Sequence, residues 1–245
     1  MSDAAHLENR KRQFMNSFST QIAAIAYDMD GLMLNTEDLY GEVGEILMAR
    51  RKKSYRQDVR EKMIGLPAQQ AFGVLIEAEG LLDSWEDLQK EVDEIFEELL
   101  PEKLALMPGL IELLHAVEAN DLPCCVATSS TRSFATKALS QTGVLQKFDF
   151  VLTAGDVARG KPFPDIYLEA ARRMEVSAET MLVLEDSSHG TRAGVEAGAF
   201  VVSVPNAHTR NGNFHGAKWI SDSLGDERIH RLIQNRPSIE RIARG

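Results

Sequence analysis

The sequence predicts an α/β protein: a mostly parallel, Rossmann-like sheet with helices on both faces, and a block of helices inserted after the first strand. Three observations predict it. Ile22 to Tyr27 is an almost unbroken apolar run that stops at Asp28-Met29-Asp30-Gly31, as a strand does when it is buried on both faces and ends at a polar crevice. From Met107 onward, short apolar runs alternate with segments of helical spacing, the mark of successive β-α units. Between the two, from about Thr36 to Leu104, strand signals are almost absent and apolar residues recur three and four apart.

In chain order, residues 1–20 are polar and lack the apolar core of a signal peptide, so they form an extension or short helix. Residues 21–35 and 105–235 make the α/β core, 36–104 a helical cap placed like a lid over the strand ends, and 236–245 a tail. In the cap, Glu42 to Arg50, Ala68 to Glu79 and Trp85 to Leu100 have helical spacing, with Val92, Ile95, Phe96 and Leu99 as one stripe. Gly65-Leu66-Pro67 marks a turn and Gly80 a break. Trp85 and Phe96 read as packing residues, and Glu91 to Glu98 as a solvated face. In the core, Ile111 to Ala119 is a helix and Leu122 to Thr128 a strand. Thr131 to Gln141 is a helix closed by Gly143, and Phe148 to Thr153 a strand. Pro164 to Met174 is a helix with Pro in its first turn, and Met181 to Leu184 a strand. His189 to Ala197 is a helix followed by Gly198, and Phe200 to Val204 a strand.

Composition narrows the function classes. The 245 residues carry a net charge of −10, which argues against nucleic acid as main partner, since phosphate backbones are held by Lys and Arg. A small anion remains compatible, because a metal ion, a few cations and backbone N–H groups suffice to bind it. No run reaches the roughly 18 apolar residues of a membrane span. The only two cysteines, Cys124 and Cys125, are adjacent in a predicted strand. They read as small buried apolar residues of a protein in a reducing cytoplasm, and no disulfide framework is implied.

Four polar clusters follow strands or lie in neighbouring loops: Asp28-Met29-Asp30, Thr128-Ser129-Ser130, Lys161 between Gly160 and Pro162, and Glu185-Asp186. In a parallel sheet these ends converge on one crevice. Residues two apart in a strand-like stretch face one side, so Asp28 and Asp30 reach the same place. Crowded carboxylates repel unless a cation joins them, and an all-oxygen donor set suits Mg²⁺. Carboxylates, a lysine and hydroxyls together suit phosphoryl transfer. Metal and Lys neutralise the phosphoryl oxygens, one Asp attacks phosphorus, and a second moves the proton.

The segment Asp28-Met29-Asp30-Gly31-Leu32-Met33-Leu34-Asn35-Thr36-Glu37 resembles the first motif of the haloacid dehalogenase superfamily, and the other clusters match its next three motifs in order. Lys161-Pro162-Phe163-Pro164-Asp165 and Leu184-Glu185-Asp186-Ser187 are close to the forms of its β-phosphoglucomutase-like phosphatase branch. The resemblance spans about Ile22 to Pro205 and implies the following roles. Asp28 is the nucleophile that becomes an aspartyl-phosphate, and Asp30 the general acid and base. Thr128 donates to the transferring phosphoryl group, and Lys161 steadies it and Asp28. Asp186, Asp28 and the Asp30 carbonyl bind Mg²⁺, with Glu185 in direct or water-mediated support. The backbone around Met29 and Ser129 contacts phosphate, although Ser129 and Ser130 read equally well as caps of the next helix. His189 reads as a helix-start residue, and the remaining histidines as surface groups.

Three departures bear on the substrate. Asn35 stands where many relatives have Asp. Ala68 stands near the position of the Arg with which mutases grip a second phosphate. Tyr40 replaces a cap His that helps gate the mutase. The last two favour hydrolysis. The expectation is a Mg²⁺-dependent phosphatase of a small sugar, polyol or nucleoside phosphate, with a phosphohexomutase as the enzymatic rival and a non-catalytic metabolite-binding protein as the rival from another class.

Overall fold

The computed structural model describes residues 21–63, 66 and 68–234. The expected extension 1–20, the tail 236–245 and most of the Gly65-Leu66-Pro67 turn lie outside the described residues. The chain divides into two compact units, one of residues 34–106 and one formed by the segments on either side.

The larger unit is built on a parallel sheet of β1 (Ala24–Tyr27), β2 (Cys124–Ala127), β3 (Phe150–Leu152), β4 (Met181–Glu185), β5 (Phe200–Ser203) and β6 (Trp219–Ile220), in the order β3-β2-β1-β4-β5-β6. The chain runs outward from β1 in one direction, then returns to β4 and runs the other way. The switch point, where α/β sheets open a crevice at their carboxyl ends, lies between β1 and its neighbours. One face of the sheet presents Ala24, Ala26, Cys125, Ala127, Met181, Val183 and Val201 to α7 (Asp165–Arg173) and α8 (Ser188–Glu196). These small residues let the helices approach closely. A Cβ on Gly194 of α8 would stand 2.8 Å from Val201 and 3.1 Å from Val183, so glycine is what the spacing admits. Alternate residues such as Ile25, Tyr27, Leu182 and Leu184 point the other way; on that side Tyr27 meets Phe148 edge to face at 5.6 Å. The unit is completed by α5 (Leu110–Ala119), α6 (Arg132–Gln141) and α9 (Glu227–Gln234).

Residues 34–106 hold α1 (Thr36–Arg50), α2 (Gln57–Met63), α3 (Ala68–Glu79) and α4 (Trp85–Lys103). Helix α1 starts six residues before its clearest sequence signal. Gly41 and Gly44 weaken that signal, and both are there for contact. A Cβ on Gly44 would meet the Tyr55 ring at 2.2 Å, and one on Gly41 the Arg60 guanidinium at 2.8 Å. Helix α2 was not predicted, because its seven residues bury only Val59 and so carry no stripe. Glu91 is not simply a solvated residue. It accepts from Arg51 at 2.7 Å and Arg50 at 3.0 Å, while Arg51 also bonds Asp83 at 2.6 Å, tying the end of α1 to α4. Asn35 explains its own departure from Asp. Its Nδ2 donates to the Lys103 carbonyl at 3.1 Å and its Oδ1 accepts from Ala105 N at 2.8 Å, joining the two ends of the unit. An aspartate could make only the second bond.

Cys124 and Cys125 are buried and unbridged in β2, as the sequence suggested. Burial pushes the Cys124 thiol up to about 12, and the Cys125 thiol also well up. At pH 8 the Cys124 thiolate is then on the order of one part in ten thousand. The native protein is expected to resist a thiol-reactive disulfide reagent at pH 8 and to yield both thiols once unfolded in urea. Rapid modification of the native protein would contradict the burial.

Candidate active site

The site follows from strand register. Tyr27 pairs with Val126 on one side and Leu184 on the other, so the next residues, Asp28, Ala127 and Glu185, come to lie side by side at the carboxyl edge. Lys161 reaches them from the loop between β3 and α7. Its Nζ donates to Asp28 Oδ1 at 2.5 Å, Glu185 Oε1 at 2.6 Å and the Ala127 carbonyl at 2.8 Å. All three ammonium protons are placed, with the Lys161 side chain 5% exposed and that of Glu185 not at all. Burial alone would lower the Lys161 pKa; the Asp28 and Glu185 carboxylates overcome it and hold the ammonium well above its usual value.

Glu185 is fully engaged. Tyr167 donates its hydroxyl to Oε1 at 2.7 Å, and the backbone and hydroxyl of Ser187 donate to Oε2 at 3.1 and 3.0 Å. Room for this carboxylate comes from Gly190 in the first turn of α8, where a Cβ would fall 1.6 Å from Oε1. Asp30 is held differently. Its Oδ2 accepts from Thr128 Oγ1 at 2.9 Å and Ser130 Oγ at 2.8 Å, and its Oδ1 is buried with no hydrogen-bond partner. Ser130 N donates to Thr128 Oγ1 at 3.0 Å, which aims the Thr128 proton at Asp30.

A divalent cation fits this donor set. Asp28, Glu185 and Asp186 are buried, and each offers a carboxylate oxygen within 4.8 Å of the others. Among the described residues no cysteine or histidine joins them, which suits a hard cation of the Mg²⁺ type. Burial, followed by the charges of Glu185 and Asp30, pushes the Asp28 carboxyl well above its ordinary value, against the pull of Lys161. One ammonium does not balance four carboxylates, and a divalent cation would offset most of the charge that remains. Glu185 already meets four donors, so its carboxylate has little capacity left for an ion.

Asp28, Asp30, Thr128, Lys161, Glu185 and Asp186 thus converge. Ser129 is exposed, and Met29 has a fully buried side chain. The capping role offered for Ser129 and Ser130 is corrected: Thr131 caps α6, accepting from Phe134 N, while Ser130 turns to Asp30. His189 lies exposed in the first turn of α8 behind the cap Ser187. Sequence reasoning missed Tyr167, Gly190 and Asn206. For Gly190 a signal existed, since a glycine five residues after a strand-end Glu leaves room for that side chain to lie under the helix.

Residues 25–204 match the family model of the haloacid dehalogenase-like hydrolases. The chain belongs to that family. It is 36% identical to (DL)-glycerol-3-phosphatase 2 of Arabidopsis thaliana, over 84% of this chain and 88% of that one. It is 34% identical to the phosphorylated carbohydrates phosphatase of Thermotoga maritima, over 71% and 81%. Among solved structures, CbbY from Rhodobacter sphaeroides in complex with phosphate has a TM-score of 0.74 at 26% identity, covering 84% of this chain and 96% of that one. Structures named for β-phosphoglucomutase share the fold as well, as the branch resemblance implied. By this kinship the enzyme is a phosphoric monoester hydrolase.

Removing Lys161 would leave a buried Glu185 beside Asp28 without its cation. Lys161→Met is expected to destabilise the hydrolase by about 3–5 kcal/mol in urea unfolding, and Lys161→Met with Glu185→Gln to recover part of that loss. An unchanged unfolding midpoint in the single variant would show that the three-way contact does not hold.

Proposed function

We propose that this hydrolase is a Mg²⁺-dependent phosphatase of a small polyol or sugar phosphate, acting through a phosphorylated Asp28. The observation that carries the reading is the unequal treatment of two carboxylates two residues apart: Asp28 bonded through Oδ1 to Lys161, and Asp30 bonded through Oδ2 to two hydroxyls. In this reading Asp28 attacks phosphorus with Oδ2. The new O–P bond forms as the ester P–O bond breaks, and Asp30 gives its proton to the departing oxygen. Because Thr128 and Ser130 already donate to Oδ2, that proton belongs on Oδ1. Asp30 then takes a proton from water, the water oxygen attacks phosphorus, the bond to Asp28 breaks, and inorganic phosphate leaves. Lys161 holds Asp28 in place and faces the charge of the transferring group. Backbone N–H groups around Met29 and Ser129 are the proposed phosphate contacts. Mg²⁺, held by Asp28, Asp186 and the Asp30 carbonyl with Glu185 in support, would supply charge neutralisation of the phosphoryl oxygens.

The glycerol-phosphate and phosphorylated-carbohydrate relatives support the substrate class. Ala68, near the position of the Arg with which the resembling mutases grip a second phosphate, supports hydrolysis over the mutase reaction. Two buried free cysteines support a reducing compartment such as the cytoplasm, and no described helix is long and apolar enough to cross a membrane.

Phosphate release from glycerol 3-phosphate, hexose phosphates and nucleoside monophosphates, with Mg²⁺ or EDTA, tests the reading. Release is expected to require Mg²⁺, to vanish in Asp28→Asn, and to fall about 100- to 10,000-fold in Asp30→Asn. Turnover near wild type in Asp28→Asn would sink the nucleophile assignment. Isomerisation of a hexose 1-phosphate with a bisphosphate activator, without net phosphate release, would establish a mutase instead.

A further inference from the structure

Beyond the four clusters at the strand ends, one side chain touches the site from the loop after β5. Asn206 Nδ2 donates to Asp186 Oδ2 at 2.8 Å and to the Gly31 carbonyl at 3.0 Å. Its Oδ1 accepts from His208 N at 2.7 Å and Thr209 N at 3.2 Å. These four bonds use the whole capacity of the amide. They also fix which way it faces, since its oxygen meets two backbone donors and its nitrogen two acceptors. The loop is held in turn by Asn206 N donating to Thr209 Oγ1 at 3.0 Å.

The amide therefore sits between two pieces of the site that the chain makes far apart. One is Asp186, just past β4; the other is the Asp28-Met29-Asp30-Gly31 turn, just past β1. Gly31 has φ +75°, a conformation glycine adopts without strain, and Asn206 bonds the carbonyl of that residue. A carboxylate free to rotate presents its oxygens in many directions. One with an oxygen pinned by a rigid donor presents the other in few, and outer partners of this kind tune metal affinity.

We propose that Asn206 is a positioning residue for the cation site: its amide fixes the rotation of the Asp186 carboxylate and couples it to the Asp28–Gly31 turn, so that the metal ligands are arranged before the metal arrives. This rests on the Mg²⁺ reading of the site proposed above. Asn206 touches no reacting atom in that reading. Its loss should weaken Mg²⁺ binding to the substrate-free enzyme.

The test is Mg²⁺ binding to the substrate-free enzyme, by calorimetry and by the Mg²⁺-dependent rise in Tm, for wild type, Asn206→Ala, Asn206→Ser and Thr209→Val, with Asp186→Ala as the reference for lost binding. Asn206→Ser keeps a side-chain oxygen able to hold the turn but removes both Nδ2 donors. Thr209→Val loosens the same loop and leaves the amide intact. Both Asn206 variants are expected to raise the Mg²⁺ dissociation constant about 10- to 100-fold, with Tm in EDTA near wild type for Asn206→Ser, and Thr209→Val to bind within about twofold of wild type. Wild-type Mg²⁺ affinity in Asn206→Ser would overturn the proposal, and so would an equal loss in Thr209→Val, which would make the effect one of loop integrity. A wild-type enzyme that binds no Mg²⁺ and releases phosphate in EDTA would overturn the metal reading, and this inference with it.

Discussion

Everything at the carboxyl edge of the sheet depends on one buried ammonium. Lys161 Nζ is hydrogen-bonded to Asp28, Glu185 and the Ala127 carbonyl, and these belong to the ends of β1, β4 and β2. Burying a charge costs several kcal/mol unless it is paired and its remaining protons are satisfied, so three neighbouring strands must end within reach of one nitrogen. The parallel register achieves this by placing Asp28, Ala127 and Glu185 abreast. The absence of a side chain on Gly190 follows from the same demand, because the carboxylate that pairs with Lys161 occupies the space where a Cβ would be.

Four chemically similar carboxylates are then made different by what surrounds them. Glu185 is saturated by donors and serves as the anchor of Lys161. Asp28 gives one oxygen to Lys161 and keeps a raised pKa from burial and like charge. Asp30 is oriented through Oδ2 by the hydroxyls of Thr128 and Ser130. Asp186 is held by the Asn206 amide. Separating like groups by environment is what the proposed division between a nucleophile and an acid–base group at a single pH would require.

Much of this was legible in the sequence, for physical reasons. Strands buried on both faces leave continuous apolar runs, and those of β1 and β4 end at carboxylates whose placement no packing role explains. The alternation with helical segments predicted a mostly parallel sheet, which the strand pairings show. What stayed hidden lacked a pattern. Helix α2 buries one residue, and β6 is two residues long, defined only by its pairing with β5. Helix α9 buries Ile229, Leu232 and Ile233 at helical spacing, a signal that is present but short and set among charges. Tyr167 lies on the apolar face of α7 and looks like core until its hydroxyl is seen on Glu185. Ser130 and Asn206 are ordinary loop residues whose partners lie about 100 and 20 to 175 positions away, a separation no local spacing encodes.

The buried pair of Lys161 and Glu185 also bears on function without reference to any relative. A well-packed apolar side chain in place of a buried ion pair is often neutral or stabilising, and the strands around this one are mostly apolar, with Tyr27, Ala127, Val183 and Leu184 fully buried. Stability alone therefore gives little reason for a lysine to cross into this space, or for Glu185 to be the last residue of a strand whose other members are hydrophobic. A charge kept at such a place belongs to something that needs it. Its position says what that is: Nζ lies against the carboxylate that leads the polar turn after β1, at the switch point where ligands of open parallel sheets bind. An ammonium there suits the proposed phosphoryl transfer, since a phosphoryl group is an anion whose transfer depends on positioning and neutralised charge.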